Sequence, residues 1–235
     1  MKKSLFLILL FIIHSCKNTD QSSLELNIDP LTKAYKKNNV EYYLRVVSGK
    51  DTIYTIDSVC VNRNGLVTLK EIKKGYADKT SYEYDLLNRI IQTEHDSDIH
   101  SKFKTYYKQE KESNTLIGFN TNSLDKKPSS LEYFIFENNK LKEQIVIDIK
   151  SNDTIMKTQY KYNSKKNISE ISKNNLIDNY EVKTEYGYRK NNTLSEIIGH
   201  GEVKYISEKT GLIDSVKQKY PHIRTTYKYH FKTEK

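Results

Sequence analysis

One phrase recurs along most of the chain: two aromatic or apolar residues set two apart, then a turn rich in Asn, Asp, Gly and Lys, then an apolar pair. It runs Val59-Cys60-Val61 into Asn62-Arg63-Asn64-Gly65-Leu66, and Tyr82-Glu83-Tyr84 into Asp85 to Ile90. Phe134-Ile135-Phe136, Tyr160-Lys161-Tyr162 and Tyr186-Gly187-Tyr188 lead into further copies, Tyr205 starts another, and Tyr227-Lys228-Tyr229 closes the series. Tyr106-Tyr107 is a degenerate copy. The second aromatic falls at positions 84, 136, 162 and 188, so the last two intervals are 26 residues and the first is twice that. Residues two apart share one face of a strand. Tyrosine suits such a half-buried face because its ring packs while its hydroxyl stays in water. Asn, Asp and Gly accept the left-handed conformations that tight turns need. Each phrase therefore reads as a β-hairpin.

The returning strands have their own spacing. Leu66/Leu69, Ile168/Ile171, Leu194/Ile197 and Ile213/Val216 are each three apart, which breaks strict alternation and predicts a β-bulge in each. Ahead of the repeat, Asp29 and Pro30 are placed to start a short helix with Leu31, Ala34 and Tyr35 on one face. Residues 40–47 and 52–61 read as a hairpin around Ser48-Gly49-Lys50-Asp51, expected to cap one edge of the sheet. The fold class read from these patterns is all-β: an elongated antiparallel sheet of stacked β-hairpin repeats, with a short N-terminal helix.

The phrase Tyr82-Glu83-Tyr84-Asp85-Leu86-Leu87-Asn88-Arg89-Ile90 resembles the YD repeats of RHS-type bacterial surface proteins, with Asn88 where that family usually has glycine. The resemblance covers roughly residues 55–231. It implies stacked hairpins in a curled antiparallel sheet, with too few repeats for the large shell of the full family. It implies no catalytic residue.

The first residues have a different character. Met1-Lys2-Lys3 is a positive head, Leu5 to Ile13 is an uninterrupted apolar run, and the sequence turns polar after Cys16. That is the layout of an export signal. The run falls short of the about 20 residues that span a bilayer. Leu10 to Cys16, with Ser15 just before the cysteine, resembles the lipobox of bacterial lipoproteins. The resemblance implies a signal peptide over residues 1–15, lipidation of Cys16, and a membrane partner engaged through acyl chains. Burying acyl chains yields roughly 0.8 kcal/mol per methylene, and two chains give stable anchoring. Residues 16–23 then form the lipidated cysteine and a flexible tether, and residues 24–235 a single β-repeat domain.

Composition bounds the rest. Removing the leader leaves 220 of the 235 residues. The apolar fraction, 36%, is low for a deep core and favours a thin structure. The formal charge is +9, which loss of Lys2 and Lys3 lowers to +7. The lysines are dispersed along the chain, and arginine, the better bidentate phosphate ligand, is scarce. Aromatic residues among lysines could stack on bases, but sheet alternation accounts for them and export leads away from nucleic acid, which is not expected as a partner. With Cys16 lipidated, Cys60 has no partner for a disulfide and reads as a small core residue between Val59 and Val61.

The search for chemistry yields weak candidates. Glu94-His95-Asp96-Ser97-Asp98-Ile99-His100 concentrates ligand-type side chains, so His95 and His100 are the candidate metal ligands, against the plainer reading of a solvated turn. Gly199-His200-Gly201 reads as a turn. Asp148, flanked by Ile145, Val146, Ile147 and Ile149, reads as a strand residue near an edge, with a catalytic acid as the alternative. No catalytic residue and no cofactor is assigned, and the ligand-binding residues stay unknown. The expectation is a non-enzymatic lipoprotein of the cell envelope, anchored at the outer membrane on its periplasmic or surface-exposed face. Its sheet would present a surface to a protein or glycan, or serve as a structural element. The competing expectations are an envelope hydrolase or metal-dependent enzyme, and a periplasmic immunity or inhibitor protein.

Overall fold

The computed structural model of the chain describes residues 29–74, 77–86, 88–98, 102–109, 114–122, 127–199, 201–220 and 222–233. The leader, Cys16, the tether and His100 lie outside the described residues. One helix, α1 (Thr32–Lys37), precedes the strands β1 (Val40–Ser48), β2 (Ile53–Val61), β3 (Val67–Lys74), β4 (Asp78–Tyr84) and β5 (Ile90–Ser97). Next come β6 (Phe103–Gln109), β7 (Thr115–Asn122), β8 (Pro128–Glu137), β9 (Lys140–Asp148), β10 (Thr154–Tyr162) and β11 (Ile168–Asn175). The series ends with β12 (Tyr180–Tyr188), β13 (Leu194–Gly199), β14 (Glu202–Ile206), β15 (Ile213–Gln218) and β16 (Arg224–Phe231).

The strands form one antiparallel sheet, as the repeat predicts. From β1 to β15 each strand pairs with its sequence neighbours, and β16 pairs with β1 rather than β15. The hairpin of β1 and β2 therefore does not cap an edge. It lies inside the sheet, with Tyr43 opposite Val59 on one side and Tyr229 on the other. The cause is the accumulated twist of sixteen strands, which coils the sheet until its ends approach. The two edges, β15 and β16, are joined by side chains: Gln218 Nε2 donates to Thr225 Oγ1 at 2.7 Å, and the Ile213 N–H donates to the Tyr229 hydroxyl at 3.1 Å. The result is a nearly closed ring.

Alternation sorts the strands into two faces. Thr225, Tyr227 and Tyr229 face inward, opposite Val47, Arg45 and Tyr43. Phe134, Phe136, Leu116, Leu141 and Tyr160 form one inner cluster of buried side chains. The outer wall is laced with ion pairs. Glu170 holds Lys161 at 2.8 Å and Lys183 at 2.7 Å, Glu94 holds Lys102 at 2.8 Å, and Glu143 holds Lys157 at 2.7 Å.

The bulges fall at one place in six hairpins. Tyr162 faces Ile168, yet Lys161 faces Glu170, which leaves Ser169 extra. The same skip follows Tyr188/Leu194, Ile206/Ile213, Val61/Val67, Tyr84/Ile90 and Phe136/Leu141. It keeps Ile168 and Ile171 on one face, since they oppose Tyr162 and Tyr160. In the first hairpin the equivalent pair is Val67 and Lys70 rather than Leu66 and Leu69, because Leu66 still belongs to the turn.

α1 begins two residues later than its expected first position. The Asp29 carboxylate accepts the Leu31 N–H at 2.8 Å, and the Asp29 carbonyl accepts the Thr32 N–H at 3.1 Å. Six residues make too short a helix to persist alone. Packing supplies the stability: Leu31 and Tyr35 are buried with Val40, Val61, Ile206, Leu212 and Ile213. Each such burial is worth roughly 1.5–3 kcal/mol. Tyr35 stacks on Tyr43 with ring centroids 5.6 Å apart. At its C-terminal end, Asn38 Nδ2 donates to the carbonyls of Ala34 at 2.7 Å and Thr210 at 2.8 Å, tying the helix to a sheet turn.

Candidate functional site

The repeat turns lie at one rim of the ring, and three of them share one construction. In residues 163–167 the Asn163 N–H donates to the Asn167 carbonyl, and the Asn163 carboxamide oxygen accepts from the N–H groups of Lys165 and Asn167. Residues 62–66 and 85–89 repeat it with Asn62 and Asp85 as the accepting side chains. The fourth turn residue is left-handed: Gly65 (φ +80°), Asn88 (φ +62°), Lys166 (φ +65°) and Asn192 (φ +68°). Asn88 thus takes the left-handed position that Gly65 holds in the turn of residues 62–66. Neighbouring turns are tied edge to edge. Asn64 Nδ2 donates to Asn88 Oδ1 at 2.5 Å, Asn167 Nδ2 to Asn192 Oδ1 at 2.8 Å, and Lys140 Nζ to the Lys166 carbonyl.

α1 crosses the mouth of the ring at this rim and leaves a recess of about 700 Å³ between itself and the turns that follow β8, β10, β12 and β14. Its lining is cationic. Lys33 and Lys37 come from α1, and Lys140, Lys166 and Arg189 from three successive hairpins, against the acids Asp29 and Glu208. Arg189 is held in place, with its guanidinium donating to the carbonyls of Leu194 at 2.7 Å and Ile206 at 2.5 Å. Lys140 sits over the Tyr162 ring, 4.4 Å from its centroid. Burial, and then the nearby Lys166, push the Lys140 ammonium below its ordinary pKa. Burial raises the Asp29 carboxyl, against the pull of the Leu31 N–H and of Lys70 and Lys204. Two acids against five cations leave the lining net positive. Lysines that look dispersed in the sequence converge here, because the helix and three successive turns reach the same rim.

A second polar group lies deeper on the inner face. Thr105 donates to Asn120 Oδ1, and Asn120 Nδ2 donates to Ser130 Oγ at 2.9 Å and Glu132 Oε1 at 3.1 Å. Burial pushes the Glu132 carboxyl up, opposed by Asn120, Lys173 and Gln144. Among the described residues, every buried side-chain nitrogen or oxygen has a hydrogen-bond partner. This row was invisible in the sequence, since its four members are isolated polar positions spread over three strands.

The residues singled out from sequence are scattered. His95 is on β5, with Nδ1 3.0 Å from Thr80 Oγ1 and 3.6 Å from Asp78 Oδ1, and its ring packs on Phe103. Among the described residues no group of three or more His, Cys, Asp or Glu side chains could hold a metal ion. His200 lies outside the described residues, and Gly199 ends β13 at the rim opposite the recess. Asp148 ends β9, where its carboxylate accepts the N–H groups of Lys150 at 2.9 Å and Ser151 at 2.8 Å, so it shapes a turn. Cys60 is half-buried and points outward, opposite Tyr42 on β1.

No protein-family model and no curated protein matches the chain. Among solved structures, a porin-like protein from Bacteroides uniformis is similar over 73% of this chain and 62% of that one, at 9% identity and a TM-score of 0.32. The chain thus spans less than two thirds of that protein's length. No described helix is long and apolar enough to cross a membrane.

Proposed function

We propose that this chain is a non-enzymatic lipoprotein of the cell envelope, tethered through a lipid on Cys16, whose ring of hairpins is a binding element for a protein or glycan. The observation that carries the binding reading is the open recess at the turn rim, built from five elements that are distant in sequence and rigidly tied to one another. Rigid scaffolding beneath an open cleft is how ligand sites are commonly preorganised. The tether reading rests on the leader and on Cys16. The outer wall supports a body that stands in water. Glu94, Glu143 and Glu170, with their lysine partners, occupy mid-strand outward positions where a lipid-facing wall carries an apolar band.

Two measurements test this reading. Metabolic labelling with a palmitate analogue should mark the wild-type chain in the membrane fraction, and Cys16→Ala should abolish the label. An array of envelope and host glycans, probed with the purified full chain, should return ligands. An unlabelled wild-type chain recovered from the cytosol would sink the tether. An array and a binary protein-interaction screen that both return nothing above background would sink the binding role.

A further inference from the structure

Resting on that reading, we infer that the rim recess binds an acidic oligosaccharide, with Lys33, Lys37, Lys140 and Lys166 taking its carboxylate or sulfate groups. Three features of the recess point to this class. The first is charge. Five cations meet two acids across about 700 Å³, and Lys33, Lys37 and Lys166 are exposed, with ammonium groups able to reach a ligand. A water-filled concave surface of one sign concentrates counter-ions of the other.

The second feature is the mixture of partners. Asn139, Asn167 and Asn192 line the recess beside the ammonium groups. Asn167 and Asn192 bond each other, which leaves the Asn167 oxygen as acceptor and the Asn192 amide as donor. That mixture suits the vicinal hydroxyls of a sugar, while a bare inorganic anion needs only donors. Tyr162 and Tyr188 add aromatic edges whose hydroxyls are already spent on the carbonyls of Leu141 and Ile168. Lys140 covers one face of Tyr162, so Tyr188 is the ring left to offer a ligand apolar surface rather than another donor.

The third feature is spacing. Successive turns are separated by two strands, so the turns themselves recur about every 9.5 Å along the rim. Lys140, Lys166 and Arg189, each at a different position relative to its turn, come from three adjacent hairpins at this interval. It is close to the advance of one disaccharide in an extended polysaccharide that carries one acid per repeat. Beyond the recess the same rim carries Arg63, and Arg89 in an ion pair with Asp85 at 2.5 Å. The opposite rim mixes its charges: Lys50 sits beside Asp51, and Lys150 stands between Asp148 and Asp153.

The test uses the full chain in detergent and titrates it by calorimetry with hexasaccharides of hyaluronate and of heparin, a neutral dextran oligomer, and linear polyphosphate of similar length. At least one acidic hexasaccharide should bind, with affinity falling as salt rises, and the dextran should not. The variant K33Q/K37Q/K166Q should lose at least tenfold in affinity at unchanged melting temperature. The variant K150Q/K219Q, on the opposite rim, should bind as wild type does. Failure of both acidic sugars to bind overturns the inference. So does binding of polyphosphate alone, or an equal loss in both variants. A protein or neutral glycan that binds with the recess variant unaffected also refutes it, while leaving the broader binding role standing.

Discussion

The second tyrosine of the repeat phrase does more than fill the inner face. Tyr84, Tyr162 and Tyr188 each donate a hydroxyl to a carbonyl at the start of the preceding strand: Val67 at 2.8 Å, Leu141 at 2.7 Å and Ile168 at 2.7 Å. The hydroxyl thus staples one hairpin to the one before it. Burial raises the phenol pKa of Tyr84 to about 12, so the donor keeps its proton across the neutral range. Tyr188→Phe should cost about 1 kcal/mol, the net worth of one hydrogen bond, read as a lowered urea midpoint at constant slope. A midpoint equal to wild type would show that the ring alone does the work. Glu132 gives a pH-dependent case. Its folded-state pKa is raised by burial, so its stabilising contribution is complete below the ordinary carboxylate range and is lost as pH rises through the folded value. Glu132→Gln, which keeps the hydrogen bond from Asn120 within reach, should therefore melt above wild type at pH 7. The gap should close as pH falls through the carboxylate range, where other acids such as Glu170 lose their own pairing in both proteins. A gap that widened on acidification would refute this assignment.

At the scale of elements, the turns and the helix depend on each other. Gly65 is left-handed, and a Cβ built there would come 2.2 Å from the Thr32 carbonyl oxygen and 3.0 Å from the Lys36 nitrogen. Gly201 has almost the same φ, +74°, but its added Cβ would meet only the Lys219 side chain, at 3.4 Å. The pair separates conformational cost from helix seating. Gly201→Ala should cost about 1 kcal/mol, the left-handed penalty alone. Gly65→Ala should cost roughly 2–3 kcal/mol and also perturb the near-UV circular dichroism, because α1 carries Tyr35 away from Tyr43. Equal costs with unchanged tyrosine signals would mean that the helix is not seated against this turn. The bulges add a second dependence. One extra residue at the start of the returning strand sharpens its twist, and repeated six times this contributes to the curl that a flat meander lacks.

For the whole molecule, β16 is the decisive strand. It is last in the sequence, yet its backbone pairs with β1, from Val40 opposite Phe231 to Ser48 opposite Arg224. Towards β15 it is held by side chains, and the link between Tyr229 and Ile213 places the repeat's tyrosine staple across that seam with donor and acceptor exchanged. Removing residues 224–235 would bare the edge of β1, with its unpaired N–H and C=O groups, and leave Tyr42, Leu44 and Val46 beside it. Exposed edges of that kind recruit other strands. The shortened chain should elute as oligomers in size-exclusion chromatography, and an added peptide spanning residues 222–233 should return it towards monomer. A monomeric shortened chain with wild-type melting would show that closure onto β1 contributes little.

The periodic features were legible in the sequence because they follow from local stereochemistry. Paired tyrosines announce a strand face, Asn and Gly the left-handed turn position, and a spacing of three the bulge. Asp29 and Pro30 marked the short helix to within two residues. Those signals sufficed for an antiparallel sheet of hairpins. They could not say where the sheet ends, since curvature is summed over sixteen strands and no single residue records it. Only the tertiary structure paired β16 with β1, laid the helix across the mouth, and gathered Lys33, Lys140 and Lys166 around one recess. The Glu132 row was hidden for the same reason: its members meet through register, and register belongs to the pairing of strands.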